Sequence, residues 1–367
     1  MRTGTANLPL HYGRAPRWLF ERMTSLAGEI ATAIVEEQGT AELLRRLSDP
    51  FWFQSLGCVL GFDWHSSGLT TTACGALKEG LRGRQQELGI FVAGGKGATS
   101  RRTPQEIEKA GPSLSVGPEG LIYASRMAAK VDSAALQDGY QIYHHTFVFD
   151  CAGMWCVIQQ GMNTSTRYAR RYHWLGEGVQ DFVCEPHAAI CCDQEGEVLN
   201  MVARESEDAR RASALISHER PDVLINELRA LQRLELPAHH EVRLAEVHPD
   251  RLRGIFLKTY EQQPSGFEAL LGMQGVGAKT IRALSLVSEL VYGSAPSFQD
   301  PVRYSFAHGG KDGHPYPVDR TNYDRTIAML EQALERARVG DRERLSALRR
   351  LASWSEENRP SDLVQSG

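Results

Sequence analysis

The hydrophobic pattern changes period part-way along the chain. Between residues 88 and 200, short runs rich in β-branched and aromatic residues stand between glycines or prolines: 88–93 (LGIFVA), 140–150 (YQIYHHTFVFD), 155–159 (WCVIQ) and 187–192 (HAAICC). Such runs predict strands, and the intervening Asp150, Cys151, Ala152 and Gly153 predict a β-hairpin. Helical spacing precedes them at about 15–47 and 68–82. From about residue 204 the strand signal stops. Residues 221–234 place Leu224, Leu228 and Leu231 on one helical face behind a proline, and further helices are predicted near 249–262, 320–338 and 341–355. The pattern predicts an α+β N-terminal domain over 1–203, with a mostly antiparallel or mixed sheet. An all-α domain over 204–357 and a loose polar tail over 358–367 follow, the boundary falling in the charged stretch 204–211 (RESEDARR).

A length of 367 residues with 42% hydrophobic and 8% aromatic content excludes a wholly disordered, collagen-like or coiled-coil chain. No run approaches the ~18 apolar residues of a membrane helix. The opening MRTGTANLPLHYG has no secretory apolar segment, so the expectation is a cytoplasmic protein with its seven cysteines reduced. With 41 Lys+Arg against 45 Asp+Glu, the net charge of −4 is unlike that of a chain basic throughout. The charge is unevenly spread, however. Residues 163–174 (NTSTRYARRYHW) carry Arg167, Arg170 and Arg171 among four aromatic rings and no acid. Arginines neutralise phosphates and rings stack on bases, so this segment suits a nucleic-acid surface; a solvated helix or loop is the alternative.

The most specific local pattern lies at 265–293. Ser265 and Glu268 have capping-box spacing before a short helix, and Met273, Gln274, Gly275, Val276 and Gly277 form a turn. A longer helix then runs from Ala278 to Tyr292 and ends at Gly293. The two glycines allow a tight turn and close approach of another molecule while Val276 anchors the turn. Outward amides with Lys279 and Thr280 make a place for one phosphate. An ordinary αα-hairpin is the plainer alternative. This pattern resembles the helix-hairpin-helix motif, which implies binding to the DNA backbone without sequence preference. More distantly, QGVGAKT followed by Asp300, seven residues past Gly293, resembles the helix-hairpin-helix DNA glycosylase and lyase superfamily. That resemblance implies a Schiff base formed by Lys279 with assistance from Asp300, although Pro301, Val302 and Arg303 depart from the usual sequel. Over most of its length, through RTGTANLPLHYGRAPRWLFERM, GFDWHSSGLTTT, QDGYQIYHHTFVF, VIQQGMN and DPVRYSFAHGG, the chain resembles a widespread archaeal and bacterial family of unknown function.

Other polar clusters are candidates for chemistry. His144 and His145 are adjacent in a predicted strand and therefore point to opposite faces. One of them could serve as metal ligand or general base with Asp132, Asp138 or Asp150, with Lys130 and Arg126 beside it for phosphate. The alternative is one exposed imidazole and one hydrogen-bonded within the sheet. Asp63, His65 and Ser66 form either a plain loop or a second part of that site. The glycine loops at 94–102, with Lys96, and 308–313, with Lys311, could hold phosphates, but neither has P-loop spacing and no nucleotide cofactor is expected. Cys184, His187, Cys191 and Cys192 read as zinc ligands or as buried thiols, and the adjacent cysteines favour thiols. The combined expectation is a DNA-binding enzyme of DNA processing or repair. Its leading form is a nuclease using Mg or Mn at His144, His145, Asp138 and Lys130. A glycosylase or abasic-site lyase using Lys279 and Asp300 is the second form, and a non-enzymatic DNA adaptor the third. DNA is the expected partner, and no membrane is.

Overall fold

The computed structural model describes residues 16–62, 68–192, 195–233, 247–302, 320–337 and 339–357. Four helices open it: α1 (Arg17–Gln38), α2 (Thr40–Ser48), α3 (Pro50–Leu60) and α4 (Leu69–Gly80). The short α5 (Gln85–Leu88) leads into β1 (Ile90–Lys96), followed by α6 (Thr103–Ala110) and α7 (Pro118–Lys130). The strands β2 (Leu136–Gln137), β3 (Gln141–Asp150), β4 (Trp155–Asn163), β5 (Tyr168–Leu175), β6 (Ala189–Cys191) and β7 (Leu199–Asn200) come next. A helical run closes the chain: α8 (Glu207–Ile216), α9 (Pro221–Leu231), α10 (Pro249–Gln262), α11 (Phe267–Gly272), α12 (Ala278–Leu290), α13 (Arg320–Arg336) and α14 (Asp341–Glu357). A mixed α and β N-terminal region is thus followed by a largely helical one. Among the described residues no helix is long and apolar enough to cross a membrane.

The sheet is antiparallel throughout, in the order β1-β3-β4-β5-β6, while β2 and β7 form a separate antiparallel pair. The expected hairpin joins β3 to β4, with the Asp150 carboxylate accepting from the amides of Ala152 and Met154 at 3.0 and 2.9 Å. Because side chains alternate along a strand, each strand feeds two cores. Ile90, Val92, Val148, Cys156 and Ile158 pack against α1–α4 and against Leu330, Leu334, Ala347 and Leu351 of α13 and α14. Phe91, Phe147, Phe149, Val157, Tyr172 and Trp174 face the other way, into one cluster shared with α7–α12. The helices after residue 204 therefore divide between the two faces of the sheet, and the cluster on one face runs unbroken across residues 203 and 204.

Several elements differ from the pattern-based expectation. The helical spacing over 15–47 is realised as two helices, parted at Gly39, which takes φ +87°. α3 is capped by Asp49, whose carboxylate accepts from Phe51 and Trp52 amides at 2.8 and 3.1 Å. That helix, α6 and α7 carry no expectation at all. β5 occupies the basic, aromatic segment, which is neither a solvated helix nor a loop: Arg170, Tyr172 and Trp174 point to one core, Arg171 and His173 to the other. The capping box at α11 does not form, since the start of that helix has no side-chain cap and Glu268 instead accepts from the Tyr123 hydroxyl. α12 ends at Leu290, and Gly293, at φ +72°, closes it with Gly293 N–H to Glu289 O and Ser294 N–H to Ser288 O.

α1 and α4 cross closely at Gly28 and Gly80. A Cβ on Gly28 would stand 2.6 Å from the Gly80 carbonyl oxygen, and one on Gly80 would stand 2.4 Å from that of Thr24. Backbone cannot swing aside as a side-chain tip can, so Gly80→Ala is expected to lower unfolding free energy by roughly 1–3 kcal/mol through overpacking. Urea denaturation measures this, and an unchanged midpoint would contradict the close packing.

Candidate nucleic-acid interface

The turn at 273–277 is held from beneath by α7 and the residues after it. Val276 is buried, and Lys130 donates to its carbonyl and, at 3.4 Å, to that of Met273. Gln137 donates to the Ala278 carbonyl at 2.9 Å and receives Arg282 Nε at 2.8 Å. These anchors occupy carbonyls. The first-turn amides of a helix have no intrahelical acceptor, and no side chain caps α12. Gly275 has φ +97°, which favours glycine. Gly277 differs: at φ −146° and ψ −171° its backbone is extended, and among the described residues an added Cβ would meet nothing within 4 Å. Lys279 is exposed on the first turn of α12, while Thr280 is buried beneath it.

The remaining expected DNA contacts divide by exposure. Arg167 is exposed at the β4–β5 turn with φ +61°, and Lys96 is exposed at the end of β1, with its ammonium 5.7 Å from the centre of the Tyr143 ring. Arg170 and Arg171 are turned inward, so neither offers phosphate a face as the structure stands. Arg170 donates to Asp138 at 3.0 Å and to Asp300 at 2.7 and 3.1 Å, and lies over the Tyr140 ring at 4.5 Å. Arg171 donates to Gln54 at 3.0 Å and lies over the Phe53 ring at 4.9 Å. Asp300 is thus committed to a buried ion triad while Lys279 is exposed, and the structure shows no contact between them. Lys311, with the rest of its glycine loop, and Asp63, His65 and Ser66 lie outside the described residues.

The four residues expected to form a nuclease centre are dispersed. His144 and His145 are both buried, in opposite cores, because helices cover both faces of the sheet. His144 Nε2 pairs with Thr146 Oγ1 at 2.9 Å, and Asp138 accepts from Arg170, the Tyr172 hydroxyl and the Tyr140 amide. Lys130 serves the turn; burial pushes its ammonium below the usual lysine range. Among the described residues no group of three or more His, Cys, Asp and Glu could hold a metal ion. Cys191 and Cys192 are buried free thiols, and Cys184 is a free thiol that is partly buried.

A different polar system was visible in the sequence only in part. Ser125 Oγ meets His145 Nε2 at 2.9 Å, His145 Nδ1 meets Gln159 Oε1 at 2.9 Å, and Gln159 Nε2 donates to Asp132. Asp132 also accepts from Trp174 Nε1 at 3.0 Å and pairs with His187 Nε2. It stands on a π-helical turn, Val131–Ala135, that continues α7. His187 lines a cleft of about 220 Å³ between the β6 loop, β7 and residues 297–302. The partners come from five parts of the chain at spacings that form no motif. The sequence offered Asp132 as a companion of His145, and His187 separately beside the cysteines, but nothing in it joined Asp132 to His187 or brought in Ser125, Gln159 and Trp174.

The chain matches the model of a family described as "Protein of unknown function (DUF763)" over residues 4–318. It belongs to that family. The match spans the sheet, the turn at 273–277 and the cleft, and ends before α13. No curated protein and no solved structure gives a significant match.

The buried imidazoles of this DUF763 protein make its stability depend on pH. Burial, helped by the charges of His145 and Lys96, pushes the His144 pKa down to about 3 from 6.5. Burial likewise lowers His145 and, together with the Arg171 charge, His173. Below pH 6.5 the unfolded chain therefore takes up protons that the fold refuses, and stability is lost as pH falls from about 6.5 toward 3. Each such histidine contributes up to about 1.4 kcal/mol per pH unit. Urea titrations at several pH values are expected to show that slope, and His144→Asn to make it shallower.

Arg170 gives a second expectation. Replacing it with Ala leaves the carboxylates of Asp138 and Asp300, respectively 1% and 4% exposed, facing one another without their cation. The expected loss is about 3–5 kcal/mol in chemical denaturation. A loss below about 1 kcal/mol, typical of surface pairs, would mean the triad is wet.

Proposed function

We propose that this protein binds the DNA backbone and works in DNA processing, with the turn at 273–277 and the N-terminus of α12 as its grip on one phosphate. The observation that carries the reading is Gly277. Neither backbone conformation nor packing among the described residues calls for glycine there, and the space a side chain would fill lies beside the start of a helix that no side chain caps. A phosphate seated on those amides is the external group such an opening suits, with the exposed Lys279 supplying charge. The sequence resemblance to helix-hairpin-helix proteins supports the same reading. Arg167 and Lys96 are the exposed cations left to extend the contact. Strand cleavage by a metal-assisted nuclease, or lyase chemistry at Lys279, belongs to this reading only as its further outcomes. Of the residues expected to carry them, His144 and His145 face opposite cores, and Asp300 is held by Arg170.

Fluorescence anisotropy with labelled single- and double-stranded DNA tests the grip. Wild type is expected to bind without sequence preference and to weaken linearly with the logarithm of salt. Lys279→Ala is expected to weaken all sequences alike and to reduce the salt slope by about 1. Gly277→Val should fold normally and weaken binding roughly tenfold, about 1.4 kcal/mol. Absence of salt-sensitive binding, or variants that bind like wild type, defeats the proposal. Incubation of intact, abasic and damaged-base DNA with Mg or Mn, with EDTA, and with borohydride identifies the activity. Cleavage abolished by EDTA assigns a nuclease, an adduct lost in Lys279→Ala assigns a lyase, and binding without product assigns an adaptor.

A further inference from the structure

The side of α10 next to the turn at 273–277 carries two cations that the fold does not use. Helical spacing puts Arg251, Gly254, Ile255 and Lys258 in one stripe along α10, at intervals of three and four residues. Ile255 fixes where that stripe lies: a Cβ on Gly275 would stand 3.8 Å from its Cγ1, so it borders the turn. The side of α10 toward α9 is already neutralised, with Asp250 pairing with Arg229 and Arg253 with Asp222. Arg251 and Lys258 are exposed, and no described residue pairs with either. The glycine between them has no internal cause. Gly254 is exposed in the interior of the helix, and among the described residues a Cβ on it would meet nothing within 4 Å. Glycine inside a helix is destabilising relative to alanine, so an opening flanked by two free cations suits an anionic chain that comes close from outside.

We infer that α10 is a second DNA contact of this protein: one strand of a duplex, held at the turn, continues over Gly254 with its phosphates against Arg251 and Lys258. This rests on the reading of the turn as a grip on DNA, and extends that grip from one phosphate to a track. The two cations stand seven residues apart on the helix, a rise of about 10 Å, close to three steps of one duplex strand. Contacts of this kind hold the backbone without reading sequence. No aromatic ring stands in the stripe, and the exposed ring of Tyr260 lies on the other side of the helix. The bases of a single strand therefore have nothing there to stack on, which favours the regular backbone of a duplex.

Anisotropy titrations of the full chain with a labelled duplex and with one of its strands, each at several salt concentrations, test the track. Arg251→Ala combined with Lys258→Ala is expected to reduce the salt slope on the duplex by about 2, and on the single strand by less. Arg253→Ala, which removes a charge on the α9 side, is expected to leave the slope unchanged. Gly254→Leu is expected to raise the urea midpoint, since leucine is the better helix former, and still to weaken duplex binding roughly fivefold. A slope unchanged in the double variant but lowered in Lys279→Ala overturns the track and leaves the grip at the turn standing. A slope that falls as much per charge in Arg253→Ala is an effect of net charge and overturns the track too. So does a lowered urea midpoint, or undiminished binding, in Gly254→Leu. Equal losses on duplex and single strand overturn the assignment to a duplex. Absence of salt-sensitive binding by the wild type defeats the track and the grip together.

Discussion

Asp132 accepts from Gln159 and Trp174 of the sheet and pairs with His187 of the loop before β6, while standing on the π-helical turn that continues α7. Its carboxylate is closed from solvent, so every one of those partners must be in place for the charge to be tolerable. The pairing fixes the relative position of three layers: strand, loop and helix. The same short segment also supports the turn at 273–277. Lys130, two residues before it, holds the turn at 273–277, and Gln137, just after the π-helical turn, holds the start of α12. One short segment of backbone therefore carries contacts to the turn, to the start of α12 and, through Asp132, to His187.

Much of the architecture was legible because strands and amphipathic helices have different periods. β3, β4 and the hairpin at Asp150 follow from β-branched and aromatic runs, and α9, α10 and α12 from leucine spacing. β5 escaped because it is buried on both faces. Its alternation places Arg170 and Arg171 in two different cores, and a buried arginine is indistinguishable in a sequence from one that meets phosphate. The same two-sided burial took His144 and His145 out of solvent together, where a one-sided sheet would have left one exposed.

The turn at 273–277 was legible for the opposite reason: its glycines, Val276 and Lys279 are consecutive, so local spacing carries the whole pattern. The pairing of Asp132 with His187 joins residues far apart in the chain and leaves no such trace. Capping misled in one instance, since Glu268 has the right spacing to Ser265 but finds the Tyr123 hydroxyl of α7 instead. Tertiary partners outbid a local bond worth about 1 kcal/mol.

The helices α13 and α14 return to the beginning of the chain. Arg350 donates twice to the Val59 carbonyl at the end of α3, Arg336 pairs with Glu37 of α1, and Leu330, Leu334 and Leu351 seal the core those first helices share with the sheet. That core is thus closed by contacts between residues 291 and 299 positions apart in the sequence. Pairings at such separation give nothing back until a long loop has been closed, so this face of the sheet is expected to form late in folding. Without α13 and α14, the apolar side chains of α1–α4 that now pack on Leu330, Leu334 and Leu351 would face water.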